Sequence, residues 1–280
     1  MTLKGQVSRR LAKAPTLRRL AATAVHPSHR GRRTAAIGHA LGYELWTNVL
    51  DRPSRIPIGE RSRIIAYKGE TNPPHAVMHN PPNWPEMLVW KRYLRPGDLF
   101  LDIGANIGVY SVYAAECGAE VIAVEPVPHN AKRVRENLDL NGYAGQVVQK
   151  ALSDHPGSVR ITADEDSYNH LVDEGGIEVT ATTLDELLGD RSAVAKIDVE
   201  GAEELVLAGA RTALAEHRIK LLQLEWVVNE RLGISDRVNA QTILDDAGYE
   251  LFVPDRFGVL SPLGKRPFTS LNVFAMPVNP

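Results

Sequence analysis

Asp98-Leu-Phe-Leu-Asp102-Ile-Gly104-Ala-Asn106-Ile-Gly108 reads as a strand running into a tight turn. Pro96-Gly97 breaks the chain just upstream. Leu99, Phe100, Leu101 and Ile103 form an apolar run of strand length, with Asp102 at its carboxyl end. Ile107, Tyr110, Ser111 and Ala114 then recur at helical spacing until Gly118. A strand, turn and helix in this order place backbone N–H groups and a helix N-terminus beside a ligand. Gly104 permits the approach of another backbone, or of a ligand, where a Cβ would clash. Asn106 is placed to cap the helix.

A dinucleotide site requires G-x-G-x-x-G, because backbone must close on a pyrophosphate. Those positions hold Gly104, Asn106 and Val109 here, so two of the three glycines are missing. The pattern is Asp-x-Gly-x-x-x-Gly, which resembles motif I of the S-adenosylmethionine-dependent methyltransferases. Downstream, Val121-Ile-Ala-Val124 is a second apolar strand ending on Glu125-Pro126. An acid about 20 residues past such a turn is where a doubly wound sheet binds a ribose diol.

Val194-Ala-Lys196-Ile-Asp198-Val-Glu200-Gly201-Ala-Glu203 is the second informative stretch: apolar residues lead to Asp198 at a strand end. Glu203 and Glu204 suit the start of a helix continuing over Leu205–Leu214. With the first turn and Glu125-Pro126, this stretch resembles the FkbM family of methyltransferases, over about Pro96 to Trp226.

The resemblance implies an α/β fold of the class I methyltransferase type: a Rossmann-like seven-stranded sheet with a late antiparallel hairpin. It implies S-adenosyl-L-methionine as cofactor and a hydroxyl on a small natural product or sugar as acceptor. By position, Asp102, Gly104, Ala105, Asn106 and Gly108 fall to the methionine end, and Glu125 with Pro126 to the ribose. Asp198 would lie where methyl meets acceptor, touching both, with Glu200 beside it. Asp198 is the expected base, with Glu200 or Glu225 as a second acid. Ala151, Leu152 or the Asp154 side chain, after a third strand at Gln146–Lys150, are expected at the adenine. Three acids near one edge could also hold a divalent cation, but Glu200 equally suits a helix cap, so no metal is assigned.

The other elements follow by periodicity. A helix over His129–Leu140 turns Val134 and Leu138 inward. Ser158–Thr162 and Ile177–Thr182 alternate as strands, and the polar stretch 164–176 between them could border the substrate. Lys220–Trp226 is a strand with Glu225 at its end; Ser235 can cap a helix lined by Ala240, Ile243, Leu244 and Ala247. Tyr249–Val253 and Ser270–Met276 are the last strands, and Asp255–Phe268 a substrate loop.

Upstream, a helix over Thr34–Leu50 is expected to turn Ile37, Leu41, Leu45 and Val49 inward. Arg63–Tyr67 and His75–His79 read as two strands around the Gly69–Pro74 turn. On a strand His75 and His79 would lie roughly 13 Å apart, a poor chelating pair. A helix over Glu86–Leu94 precedes the first motif. The chain thus divides into a basic tail (1–33), a helical and hairpin extension over the cleft or acceptor (34–94), and the cofactor domain (95–280).

Composition narrows the partners. The 280 residues carry a net charge of −2, but no acid precedes Glu44, and nine of the 32 Lys and Arg residues lie ahead of it. A basic tail could meet an acidic partner, a neighbouring subunit or nucleic acid; a homo-oligomer stays open. An RNA ribose methyltransferase is disfavoured because Lys220 and Glu225 would fall on opposite strand faces and no aromatic residues interleave with the basic ones. A binding protein without catalysis is the remaining alternative. Cys117 is the single cysteine, which excludes a disulfide framework and suits a reducing cytoplasm. No run approaches membrane-span length, so no membrane partner is expected.

Overall fold

The structure is a computed structural model that describes residues 15–70, 72–162, 169–226, 238–264 and 272–278. In chain order the extension comprises α1 (Pro15–Val25), a 3-10 turn, α2 (Arg33–Tyr43) running into a π-helical segment (Glu44–Val49), β1 (Ser54–Ile58), β2 (Ser62–Ala66), α3 (Asn72–Met78) and α4 (Trp84–Tyr93). The first sheet unit follows: β3 (Leu99–Ile103), α5 (Val109–Glu116), β4 (Glu120–Val124), α6 (Pro128–Leu140) and β5 (Gln146–Val148). Next come β6 (Ala151–Leu152), β7 (Gly157–Ile161), β8 (Ile177–Thr182), α7 (Leu184–Leu188), β9 (Ala193–Ile197), α8 (Glu203–Ala208), α9 (Arg211–Ala215) and β10 (Ile219–Glu225). The chain closes with α10 (Val238–Asp246), β11 (Tyr249–Pro254), β12 (Leu260–Pro262) and β13 (Asn272–Pro277).

All five residues of β3 are buried, as a strand covered on both faces requires. Leu101 and Ile103 pack with α7–α10 on one face, while Phe100 packs with α4–α6 on the other. The sheet order is β12-β11-β13-β10-β9-β3-β4-β5. Strands β5, β4, β3, β9 and β10 are parallel, and β13 inserts antiparallel between β10 and β11. Without β12 this is the class I methyltransferase sheet. The expected seven strands become eight because Leu260–Pro262, inside the segment read as a loop, pairs with the end of β11. The connections diverge between β3 and β9, and a doubly wound sheet opens its ligand crevice at that switch point.

The third strand stops at Val148 rather than Lys150. Ala151–Leu152 instead joins a separate three-stranded sheet with β7 and β8. The helix after β9 is broken at Gly209-Ala210, so Leu205–Leu214 is two short helices. Ser235 lies outside the described residues.

Two readings of the extension are corrected. His75–His79 is not a strand: Pro73 and Pro74 open α3, whose first turn tolerates their missing N–H groups. The partner of β2 is β1, where Pro57 pairs opposite Arg63 on an edge strand that needs no donor from it. The inward face of Thr34–Leu50 is also misread. Ala36, Ala40, Tyr43 and Thr47 are buried, whereas Leu41, Leu45 and Val49 are exposed.

Polar anchors tie the hairpin to the sheet unit. Glu116 accepts from the backbone N–H groups of Glu60, Arg61 and Ser62. Asn137 of α6 and its C-cap Asn141 accept from Ile65 N and Arg63 N at 2.8 Å. The hairpin's free edge is thereby satisfied by side chains. Arg133 is buried against Glu70 (2.8 Å) and Ile65 O (2.7 Å).

Candidate functional site

At the end of β3 the backbone enters the left-handed region three times: Gly104 (φ 75°), Asn106 (φ 50°) and Gly108 (φ 83°). Gly104 N and Ala105 N both donate to Val124 O, at 3.0 and 3.1 Å, which pins the turn to β4. A Cβ on Gly104 would stand 1.8 Å from Asp198 O, so the close approach is by backbone from β9. Gly108 packs against Val134 of α6 and is itself the N-cap of α5. Asn106 does not cap that helix. Its Oδ1 accepts from Ile107 N at 2.8 Å, and its own N–H donates to Glu125 Oε2 at 2.8 Å.

Asp102 lies beneath the turn, fully buried. Ser111 Oγ donates to its Oδ2 at 2.6 Å, and Lys196 Nζ stands 3.7 Å from its Oδ1. Burial raises its carboxyl above the usual range against the pull of Lys196. Lys196 also donates to Gly104 O (3.1 Å) and pairs with Asp198 Oδ2 (3.2 Å). Burial alone would lower its ammonium, but Asp198 and Asp102 carry it above the ordinary lysine value. The sequence reading passed over Lys196, although a residue two before Asp198 on a strand shares its face.

A cleft opens above these strand ends. Gly104, Asn106, Glu125, Pro126, Ala151, Leu152, Asp198 and Glu200 line it; Asp102, Ala105, Gly108 and Glu225 do not. No described residue before Ile103 lines it, so the extension packs behind the cleft wall. Asn130, Lys150, His170 and Leu171 also line it and were not singled out. His170 and Leu171 fall in the polar stretch 164–176, whose composition was the one available signal; 163–168 lie outside the described residues. Asp154 faces solvent with His155 and does not line the cleft, whereas Ala151 and Leu152 do.

Glu125 Oε1 accepts from Val127 N at 2.9 Å and Oε2 from Asn106 N. Burial nevertheless pushes its carboxyl up to about 7. At the other end Glu200, in a left-handed turn (φ 52°), is pushed to about 7 by burial and by Asp198 and Glu203. Glu225 is pushed to about 8 by burial and by Asp198, Glu200 and Glu203. Glu200 does not cap α8, whose N-cap is Ala202 without a side-chain bond. Buried Glu203 braces the turn instead, accepting from Val199 N (3.0 Å) and Gly201 N (3.1 Å). Among the described residues no cluster is arranged to hold a metal ion.

Residues 102–251 match the methyltransferase FkbM domain. The chain belongs to the FkbM methyltransferase family. It is 31% identical over 161 residues to 31-O-demethyl-FK506 methyltransferase FkbM of Streptomyces tacrolimicus, covering 43% of this chain and 62% of that relative. It is 43% identical over 63 residues to the protein-L-isoaspartate O-methyltransferase of Aeropyrum pernix, 21% of this chain and 24% of that one. The crystal structure of methyltransferase FkbM from Methylobacillus flagellatus KT aligns with 96% of this chain and 60% of its own, at 14% identity and a TM-score of 0.45. The chain therefore spans less than two thirds of either FkbM relative.

Class I methyltransferases take their methyl group from S-adenosyl-L-methionine, and the cleft of this FkbM-family chain has a donor set that fits it. Glu125 offers acceptor lone pairs beyond those used by its two backbone donors. Val127, Leu152 and Leu171 make part of the lining apolar, as a purine would need, and Asp198 and Glu200 place two carboxyls at the opposite side.

Proposed function

We propose that this chain is an S-adenosyl-L-methionine-dependent methyltransferase acting on a hydroxyl of a small natural product or sugar. The observation that carries the reading is one cleft with a ribose-type carboxyl, Glu125, and the acids Asp198 and Glu200 on either side of the Gly104 turn. O-methylation draws support from the activity named for the Streptomyces tacrolimicus relative. In this reading residues 95–280 are the catalytic unit and 34–94 its buttress, and of the stretch read as a basic tail, 15–33 is folded against that buttress through α1 and the Arg19–Glu44 pair. A cytoplasmic location belongs to the same proposal.

When bound, S-adenosyl-L-methionine supplies a methyl group made electrophilic by its sulfonium. The chain's own work is to hold the two reactants in line. Orientation of this kind can lower a barrier by on the order of 7–11 kcal/mol. Glu125 and Asn106 fix the ribose side, while Gly104, backed by Asp198 O, sets the position of the turn. Asp198, held by Lys196 Nζ, takes the acceptor's proton. Glu200 and Glu225, raised towards neutrality, relay or store it.

Calorimetry with S-adenosyl-L-methionine, followed by transfer of labelled methyl to a panel of hydroxylated acceptors, tests the reading. Asp198→Asn is expected to lower turnover at least about 100-fold while changing cofactor affinity far less. Near-parental turnover in that variant removes Asp198 as the base. Absence of cofactor binding by the parent chain would leave a non-catalytic binding protein.

A further inference from the structure

The segment 41–50 is amphipathic in the inverted sense. Its polar residues turn inward: Glu44 pairs with Arg19, Thr47 bonds Ser54 Oγ at 2.7 Å, and Asn48 donates to Glu44 at 2.9 Å. Every exposed residue in it is large and apolar: Leu41, Leu45, Trp46, Val49 and Leu50, the last four 46–70% exposed. A face like this is not the scatter of single apolar residues normal on a surface.

The charge around it is one-sided. Glu44 is the sole acid in residues 1–50, and it faces the protein interior. Exposed Arg32 and Arg33 open the helix that carries the face. Arg52 closes it, its guanidinium carbon 5.8 Å from the Trp46 ring centroid. Asp51, the next acid, is exposed and lies 3.9 Å from Lys68. An aliphatic face with a tryptophan, flanked by arginines at both ends, is the composition of a helix lying in a membrane interface. Juxtaposed basic residues add attraction to anionic headgroups.

We propose that this face docks the protein on an anionic lipid surface, as a peripheral contact without a spanning segment. Charge decides against a second copy, because Arg32, Arg33 and Arg52 of each would be brought together while Glu44 is turned inward onto Arg19. Nucleic acid suits the arginines but leaves Leu41, Leu45, Val49 and Leu50 without a partner. The inference is independent of the methyl acceptor, since no residue of the face lines the cleft.

Co-sedimentation of the full chain with phosphatidylcholine vesicles, with and without phosphatidylglycerol, tests it. Binding is expected only with phosphatidylglycerol, weakening as salt rises. Leu45→Gln with Trp46→Gln, both on the surface, should weaken it by about ten-fold or more with unchanged thermal unfolding. Trp46→Phe should keep binding but remove the blue shift of tryptophan emission on vesicles. The proposal is overturned by absent binding to phosphatidylglycerol vesicles, or by equal binding of the double variant. It also falls if vesicle binding needs deletion of residues 2–14, or if Trp46→Gln merely dissolves a dimer that binds no vesicles.

Discussion

The carbonyl oxygen of Asp198 occupies the space that a side chain on Gly104 would need, 1.8 Å from the missing Cβ. This contact joins the two motifs across the switch point of the sheet. Gly104→Ala meets a clash with backbone, which cannot swing away, and a left-handed φ of 75°. The conformational term costs about 1–2 kcal/mol and the overpacking another 1–3 kcal/mol. Urea unfolding should show a loss of about 2–5 kcal/mol, with cofactor affinity falling alongside. Parental stability in this variant would mean that the turn and β9 are not in contact.

Lys196 neutralises two acids at once, one of them Asp102, which has no exposure. Removing a single partner from a buried pair costs about 3–5 kcal/mol, because the remaining charge is left without compensation. Lys196→Met should therefore destabilise by that order in denaturant unfolding. Adding Asp102→Asn should recover part of it. Strict additivity of the two substitutions would show that they do not interact.

The motif turns and the parallel strands were legible because β3, β4 and β9 are short apolar runs ending on acids, a pattern that depends only on local sequence. The roles inside the turn were less so. Asp102, Ala105 and Gly108 belong to the motif yet lie below or behind the cleft, since a motif marks a backbone shape and does not say which side chains face the ligand. The role of Lys196 is not legible in sequence, because its three partners come from β3, the turn and the residue after β9 and meet only through pairing in the sheet. The extension misled for a physical reason. Helical periodicity identifies an apolar face, but Leu41, Leu45 and Val49 show that it does not say which way that face points. Likewise β12 and the strand β1 with its Pro57 are fixed by their partners more than by propensity.

Three carboxyls are raised by burial: Glu125 and Glu200 to about 7, and Glu225 to about 8. Each holds its proton more tightly folded than unfolded. The associated stability is thus complete below the unfolded value near 4.5 and is lost as pH rises through about 7 to 8. Thermal unfolding should fall over that window, and Glu225→Gln should flatten the fall, stabilising by on the order of 1–2 kcal/mol above pH 8. Turnover should move the other way, rising as the acid cluster ionises, with an apparent midpoint that belongs to the coupled group. An unchanged stability profile in Glu225→Gln would remove that residue from the cluster.

Glu125 is the sharpest probe of the cofactor site. Its two oxygens already take backbone N–H groups from Asn106 and Val127, and both contacts survive only with a carboxylate. Glu125→Gln replaces one acceptor by a donor, so one backbone N–H is left facing an amide NH₂. A ribose diol also loses a charged acceptor, worth about 1.5–3 kcal/mol. Calorimetry should show affinity for S-adenosyl-L-methionine weakened by about 10- to 100-fold. The parent's affinity should also rise with pH through about 7, as the carboxyl ionises and becomes the better acceptor for the diol. In Glu125→Gln that pH dependence should shrink to whatever Glu200 of the same cleft contributes. If parent and variant share the same pH profile, the proton being lost sits elsewhere and Glu125 does not hold the ribose.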